Sequence, residues 1–149
     1  MVEMMVERHK NGEWVAKLET LDTENDFQIK EDRLNQEICS MGQKLVRYGT
    51  LAAEQSANLK RKEENVKHIH ARLAGAYRSQ AEEEGTRMTE GKLQEQVVVD
   101  TQYQQALGEL HLQRAESLKA DHYWRSITQV SSLLNALAFR QSAEIKRMG

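Results

Sequence analysis

No proline occurs anywhere in the 149 residues, so no position forces a break in a helical hydrogen-bond ladder. Glu, Gln, Lys, Leu and Ala are plentiful and phenylalanine occurs only twice, a mixture that favours long uninterrupted helices over sheet. The expectation is an all-α chain of long amphipathic helices, with a helical hairpin-like protomer. A hydrophobic content of 39% against 30% charged residues allows a core, but a thin one, which suits an elongated or assembled protein better than a compact globule.

Hydrophobic spacing sets the organisation. The first 26 residues show weak periodicity and contain the polar stretch "ETLDTEND", so they read as an acidic, mobile or weakly helical arm. From Leu34 to Tyr77 the residues Leu45, Tyr48, Leu59, Val66, Ile69, Leu73 and Tyr77 fall broadly on one side of a 3.6-residue period, which predicts helix over the 27–78 region, with breaks allowed at Gly42 and Gly49. The pattern lapses in "SQAEEEGTRMTEGK" at 79–92, where Gly85 and Gly91 predict a loop and Thr89 is placed to cap the next helix. The stretch 93–149 reads as one long helix or two stacked ones. Within it Ala120, Tyr123, Ile127, Val130, Leu134 and Leu137 are spaced 3, 4, 3, 4, 3, a heptad seam whose partner is either a second copy or the first helix of the same chain.

The formal net charge of −2 conceals an uneven distribution: residues 1–37 carry −5, 38–59 carry +1, 60–78 carry +4 and 79–149 carry −2. The local positive charge comes from "KRKEENVKHIHAR" at 60–72 and Arg78. At about 100° per residue, Lys60, Arg61, Lys67, His68, Arg72 and Arg78 fall within one arc of about 140°, opposite Leu59, Val66, Ile69, Leu73 and Tyr77. Such a stripe can track phosphates and release their counterions, and Gly75 lets a backbone approach on the same face, which points to single-stranded nucleic acid. The plainer reading is a solvated face, to which Glu63 and Glu64 contribute. Adsorption to anionic lipid lacks the Trp and Phe expected on the apolar side.

Catalytic patterns are missing. "GTRMTEGKL" at 85–93 is superficially like a phosphate-binding loop, but its glycines are separated by five residues rather than four, and Leu93 stands where a magnesium-binding hydroxyl should follow the lysine. His68 and His70 point about 200° apart on a helix and cannot share a metal as an i, i+4 pair could. Cys39 lies in "EICSMG" without a neighbouring histidine, and Glu82 and Glu83 sit in charged loop-like sequence. Nothing here argues for an enzyme, a cofactor or a metal. The lone Cys39 has no internal disulfide partner, and the opening "MVEMMVERHKNGEW" lacks the charge and apolar run of a secretory signal, so a cytoplasmic location is expected. The densest apolar stretch, "LLNALAF" at 133–139, is far short of the roughly 20 residues a membrane-spanning helix needs.

Three segments, in order, resemble the UvsY family of tailed-phage recombination mediators. "FQIKEDRLNQE" at 27–37, with Ile29, Leu34 and Glu37, is similar to the entry to that family's first long helix. "HARLAGAY" at 70–77 is similar to its basic helix end, with Arg72 matching an arginine and His70 standing where a lysine can occur, a departure that removes charge near neutral pH. "YWRSITQVSSLLNALAFRQSAEIKRM" at 123–148 is similar to its C-terminal helix, which begins with an aromatic-Trp pair, here Tyr123 and Trp124. The resemblance spans about 27–148 and leaves the acidic head unmatched.

It implies a non-enzymatic protein of the host-cell cytoplasm that binds single-stranded DNA and helps load a RecA-type recombinase onto DNA covered by single-strand-binding protein. It also implies a ring-like homo-oligomer, roughly a hexamer to heptamer, assembled through the C-terminal helical region with Ala120, Tyr123, Trp124, Ile127, Val130, Leu134 and Leu137 at the contact. The alternative function is a helical scaffold or adaptor oligomer with no nucleic-acid role.

Overall fold

A computed structural model describes residues 1–148. The chain is mostly helical, 78%, but it opens with a two-stranded sheet. Strand β1 (Val2–Lys10) pairs antiparallel with β2 (Glu13–Leu21), from Val2 opposite Leu21 to Lys10 opposite Glu13. A short helix α1 (Thr23–Asp26) and a 3-10 turn at Glu31–Arg33 lead into α2 (Leu34–Glu83), followed by α3 (Glu90–Val99) and α4 (Thr101–Met148).

The arm expected at 1–26 is therefore a hairpin and a capped helical turn. Asn11 (φ 52°) and Gly12 (φ 82°) are both left-handed, as a two-residue type I′ turn demands, and this turn matches the twist of the strands it joins. Met4, Val6 and Leu21 face inward and are buried. Asp22 caps α1, its side chain accepting from the Asn25 backbone N–H.

α2 runs unbroken through Gly42 and Gly49. It also outlasts the loop expected from 79 by one turn, ending where Gly85 (φ 69°) takes the left-handed position: Thr86 N–H donates to the Ala81 carbonyl (2.9 Å) and Gly85 N–H to that of Glu82 (3.2 Å). Thr89 caps α3 as expected, accepting from Lys92 N–H. The C-terminal stretch is two helices, parted at Asp100, whose backbone is extended and whose carboxylate accepts from Gln102 N–H at 2.8 Å to start α4.

The chain forms two compact units, Met1–Gln55 with the segment from Glu116 onward, and Ser56–Ala115. In the first, the hairpin and the N-terminal half of α2 pack with the C-terminal half of α4: Met4, Val6, Leu21, Leu34, Met41, Tyr48 and Leu51 share one core with Ala120, Ile127, Val130 and Leu134. Tyr123, Trp124 and Leu137 are partly buried against it. The partner of the heptad seam is thus the chain itself, and the surface assigned to assembly is already used in folding. The reason is geometric, since an antiparallel helix of the same chain offers an apolar stripe of the same period. Trp124 lies against Gly49, where a Cβ would come within 3.0 Å of its ring, so this glycine serves close helix approach rather than a break.

In the second unit Leu73, Ala74, Leu93 and Val97 form a smaller core, with Ile69, Tyr77, Met88 and Tyr103 packed on it. Among the described residues no helix is long and apolar enough to cross a membrane.

Candidate nucleic-acid interface

The second unit holds the basic run. Because α2 is one continuous helix, the inward residues Ile69, Leu73, Ala74 and Tyr77 fix which side of it is wet. Lys60, Lys67, His68, Arg72 and Arg78 are exposed on that side, as the spacing predicts. Arg61 departs from the expectation: it is half-buried and already makes an interaction within the protein. Lys62 belongs to the same run but turns inward and pairs with Glu109 of α4 at 3.4 Å. The place of Lys62 about 200° round α2 from Lys60, between Ile69 and Leu73, already puts it on the packed side of the helix.

The arginines toward the C-terminal end of the stripe have light partners. Arg78 Nη2 bonds Glu90 Oε1 at 2.6 Å, with both side chains more than half exposed. Arg72 Nη2 donates to the Gln102 side-chain carbonyl. An exposed ion pair is worth only about 0–1 kcal/mol and a neutral amide does not remove charge, so neither contact bars a phosphate from the guanidinium.

His70 is not part of the free stripe. It is half-buried, its Nε2 lies 2.8 Å from Gln94 Oε1, and its ring meets Tyr103 edge-on at 5.8 Å. Tyr77 OH donates to Asp100 Oδ2 at 2.5 Å. That bond is the main cause holding the Asp100 carboxyl below its usual range, and backbone N–H groups at the start of α4 add to it; the same bond raises the Tyr77 phenol.

Glu90, Gln94, Gln102 and Tyr103 thus border the stripe from α3 and α4. None was legible as a site residue, because their approach depends on the turns at Gly85 and Asp100. The capping aspartate before "TQYQQ" is the one local signal that could have placed the second turn. The oligomerisation residues lie in the other unit, where Ala120, Ile127, Val130 and Leu134 are core. Among the described residues no cluster of three His, Cys, Asp or Glu side chains is arranged to hold a metal ion, and Cys39 is exposed. Comparison of the chain with known protein families, with curated proteins and with solved structures finds no match.

Proposed function

We propose that the exposed face of α2 binds single-stranded DNA and that the protein acts as a recombination mediator, helping a RecA-type recombinase onto DNA covered by single-strand-binding protein. The observation that carries DNA binding is the row of Lys60, Lys67, Arg72 and Arg78, exposed on one helix face and held, where held at all, by exposed exchangeable partners. The stripe supplies charge and donors without a set of side chains suited to reading base edges, so the affinity is sequence-tolerant. The mediator role rests on the resemblance of the segments at 27–37, 70–77 and 123–148.

Assembly would multiply the affinity of a modest stripe through effective concentration, and it would have to use surface other than the buried seam. Fluorescence anisotropy with labelled single- and double-stranded oligonucleotides at two salt concentrations tests the reading. Four neutralised phosphates give a log–log salt slope of about −3 for one engaged protomer. Absence of binding at low salt leaves the stripe a solvated face and favours the scaffold function. The mediator step is read separately, as faster recombinase filament formation on protein-coated single strands.

A further inference from the structure

The hairpin's two edges are treated differently. On β1, Met5 N–H donates to Glu116 Oε2 (3.3 Å) and the Met5 carbonyl accepts from Gln55 Nε2 (2.8 Å), so both of its outward backbone groups are covered by helical side chains. Met5 faces Leu18, which makes this a non-hydrogen-bonded pair and directs the Leu18 N–H and carbonyl to the outer edge of β2. Alternation puts Ala16 and Thr20 on that edge too, and the Thr20 carbonyl does accept from Arg47 Nη2 at 2.7 Å. The backbone groups of Ala16 and Leu18 meet nothing among the described residues. An uncovered row of this kind is a template for another strand, and Leu18 is 48% exposed and Val15 45% exposed along it.

We infer that the β2 edge pairs antiparallel with the β2 edge of a second copy, about a two-fold axis at Leu18, making a four-stranded sheet. The charges select this occupant and register. Centring at Leu18 sets Lys17 opposite Glu19 of the copy twice, Val15 opposite Leu21, and Leu18 against Leu18 on the outer face. Centring between Ala16 and Leu18 brings Lys17 onto Lys17. Centring at Ala16 brings Glu13 onto Glu19. Centring at Val15 runs the pairing into Asn11 and Gly12, whose positive φ ends the strand. Lys17 and Glu19 therefore oppose slipped registers while matching this one. The inference is independent of nucleic-acid binding.

The test joins mass to register. Sedimentation at micromolar concentrations is expected to give a species of at least twice the 17.2 kDa chain mass. Lys17→Glu replaces two attractive cross-strand pairs by two repulsive ones and is expected to raise the dissociation constant by about tenfold or more. In a Cys39→Ser background, Leu18→Cys is expected to cross-link under mild oxidation, because facing residues in a hydrogen-bonded pair have Cα atoms about 5.5 Å apart, within disulfide reach. Ala16→Cys, four residues out of register with its counterpart and so about 13 Å from it, is expected not to. A monomeric wild type, an unaffected Lys17→Glu variant, or equal cross-linking of the two cysteine variants overturns the inference.

Discussion

Tyr48 joins three parts of the first unit in one side chain. Its ring is 1% exposed, packs on Phe27 at 5.5 Å, and its hydroxyl donates to Asp26 Oδ2 at 2.6 Å. Burial first, and then the Asp26 carboxylate, push the phenol far above its usual value near 10. With the folded value raised, the stabilisation is present below about pH 10 and is lost as pH rises through the folded value. Wild type is therefore expected to lose stability between neutral pH and pH 11 more steeply than Tyr48→Phe, and its absorbance titration should show a late phenol that the variant lacks. Tyr48→Ala should cost about 3–5 kcal/mol by urea denaturation, as expected for a large buried aromatic. One residue on, Gly49→Leu drives a side chain into Trp124 and is expected to cost about 1–3 kcal/mol by overpacking, despite the better helix propensity of leucine.

Among the elements, the hairpin depends most on two residues. Gly12→Val puts a β-branched side chain at φ 82° and should destabilise the hairpin by about 1–2 kcal/mol, read as faster amide exchange in β1 and β2 with the α3 amides unchanged. Its inner side is tied to α2 through Arg8, which bonds Glu54 and Glu19 at 2.6 Å each. The Arg8 contact is the chief cause holding Glu19 below the usual range, while at Asp22 the bonds from Asn25 do the same. With Asp100, these are carboxyls depressed on folding, so their contribution exists above the unfolded value near 4 and disappears as pH falls through the folded ones. Thermal melts are expected to weaken below about pH 4, and Asp100→Asn to soften that acid slope, with its effect centred on the α3–α4 turn.

At the scale of the whole chain, the two sets of residues named as functional separate by environment. Leu134 is 1% exposed inside one chain, so Leu134→Asp buries a charge among apolar neighbours and is expected to unfold the first unit, seen as lost helical dichroism, rather than release folded monomers. Lys67 and Arg72 are exposed, so the double change Lys67→Ala/Arg72→Ala should leave dichroism and mass intact while weakening single-strand binding and lowering the magnitude of the salt slope by about 1 to 2. Unfolding of that double variant would make the stripe structural.

Local chemistry alone determined the long helices, the apolar face from Tyr48 to Tyr77, a break around Gly85 before α3, the Thr89 cap and the exposed cations of α2, because propensity, period and capping act within a few residues. The hairpin was also written locally, in Asn11-Gly12 between the alternating "VEMMVERHK" and "EWVAKLETL", but its many charges look like a solvated arm until Met4, Val6 and Leu21 have helices to bury against. Other features only the tertiary structure decided. A heptad seam states its period and not its partner, so the burial of Ala120 to Leu134 within the chain followed from an antiparallel neighbour of matching stripe. Gln55 on the apolar side of α2 gives no local hint that it is buried with its amide on the Met5 carbonyl. Likewise Arg61 falls on the same helical arc as Lys60, and only the folded structure shows it half-buried while Lys60 is exposed.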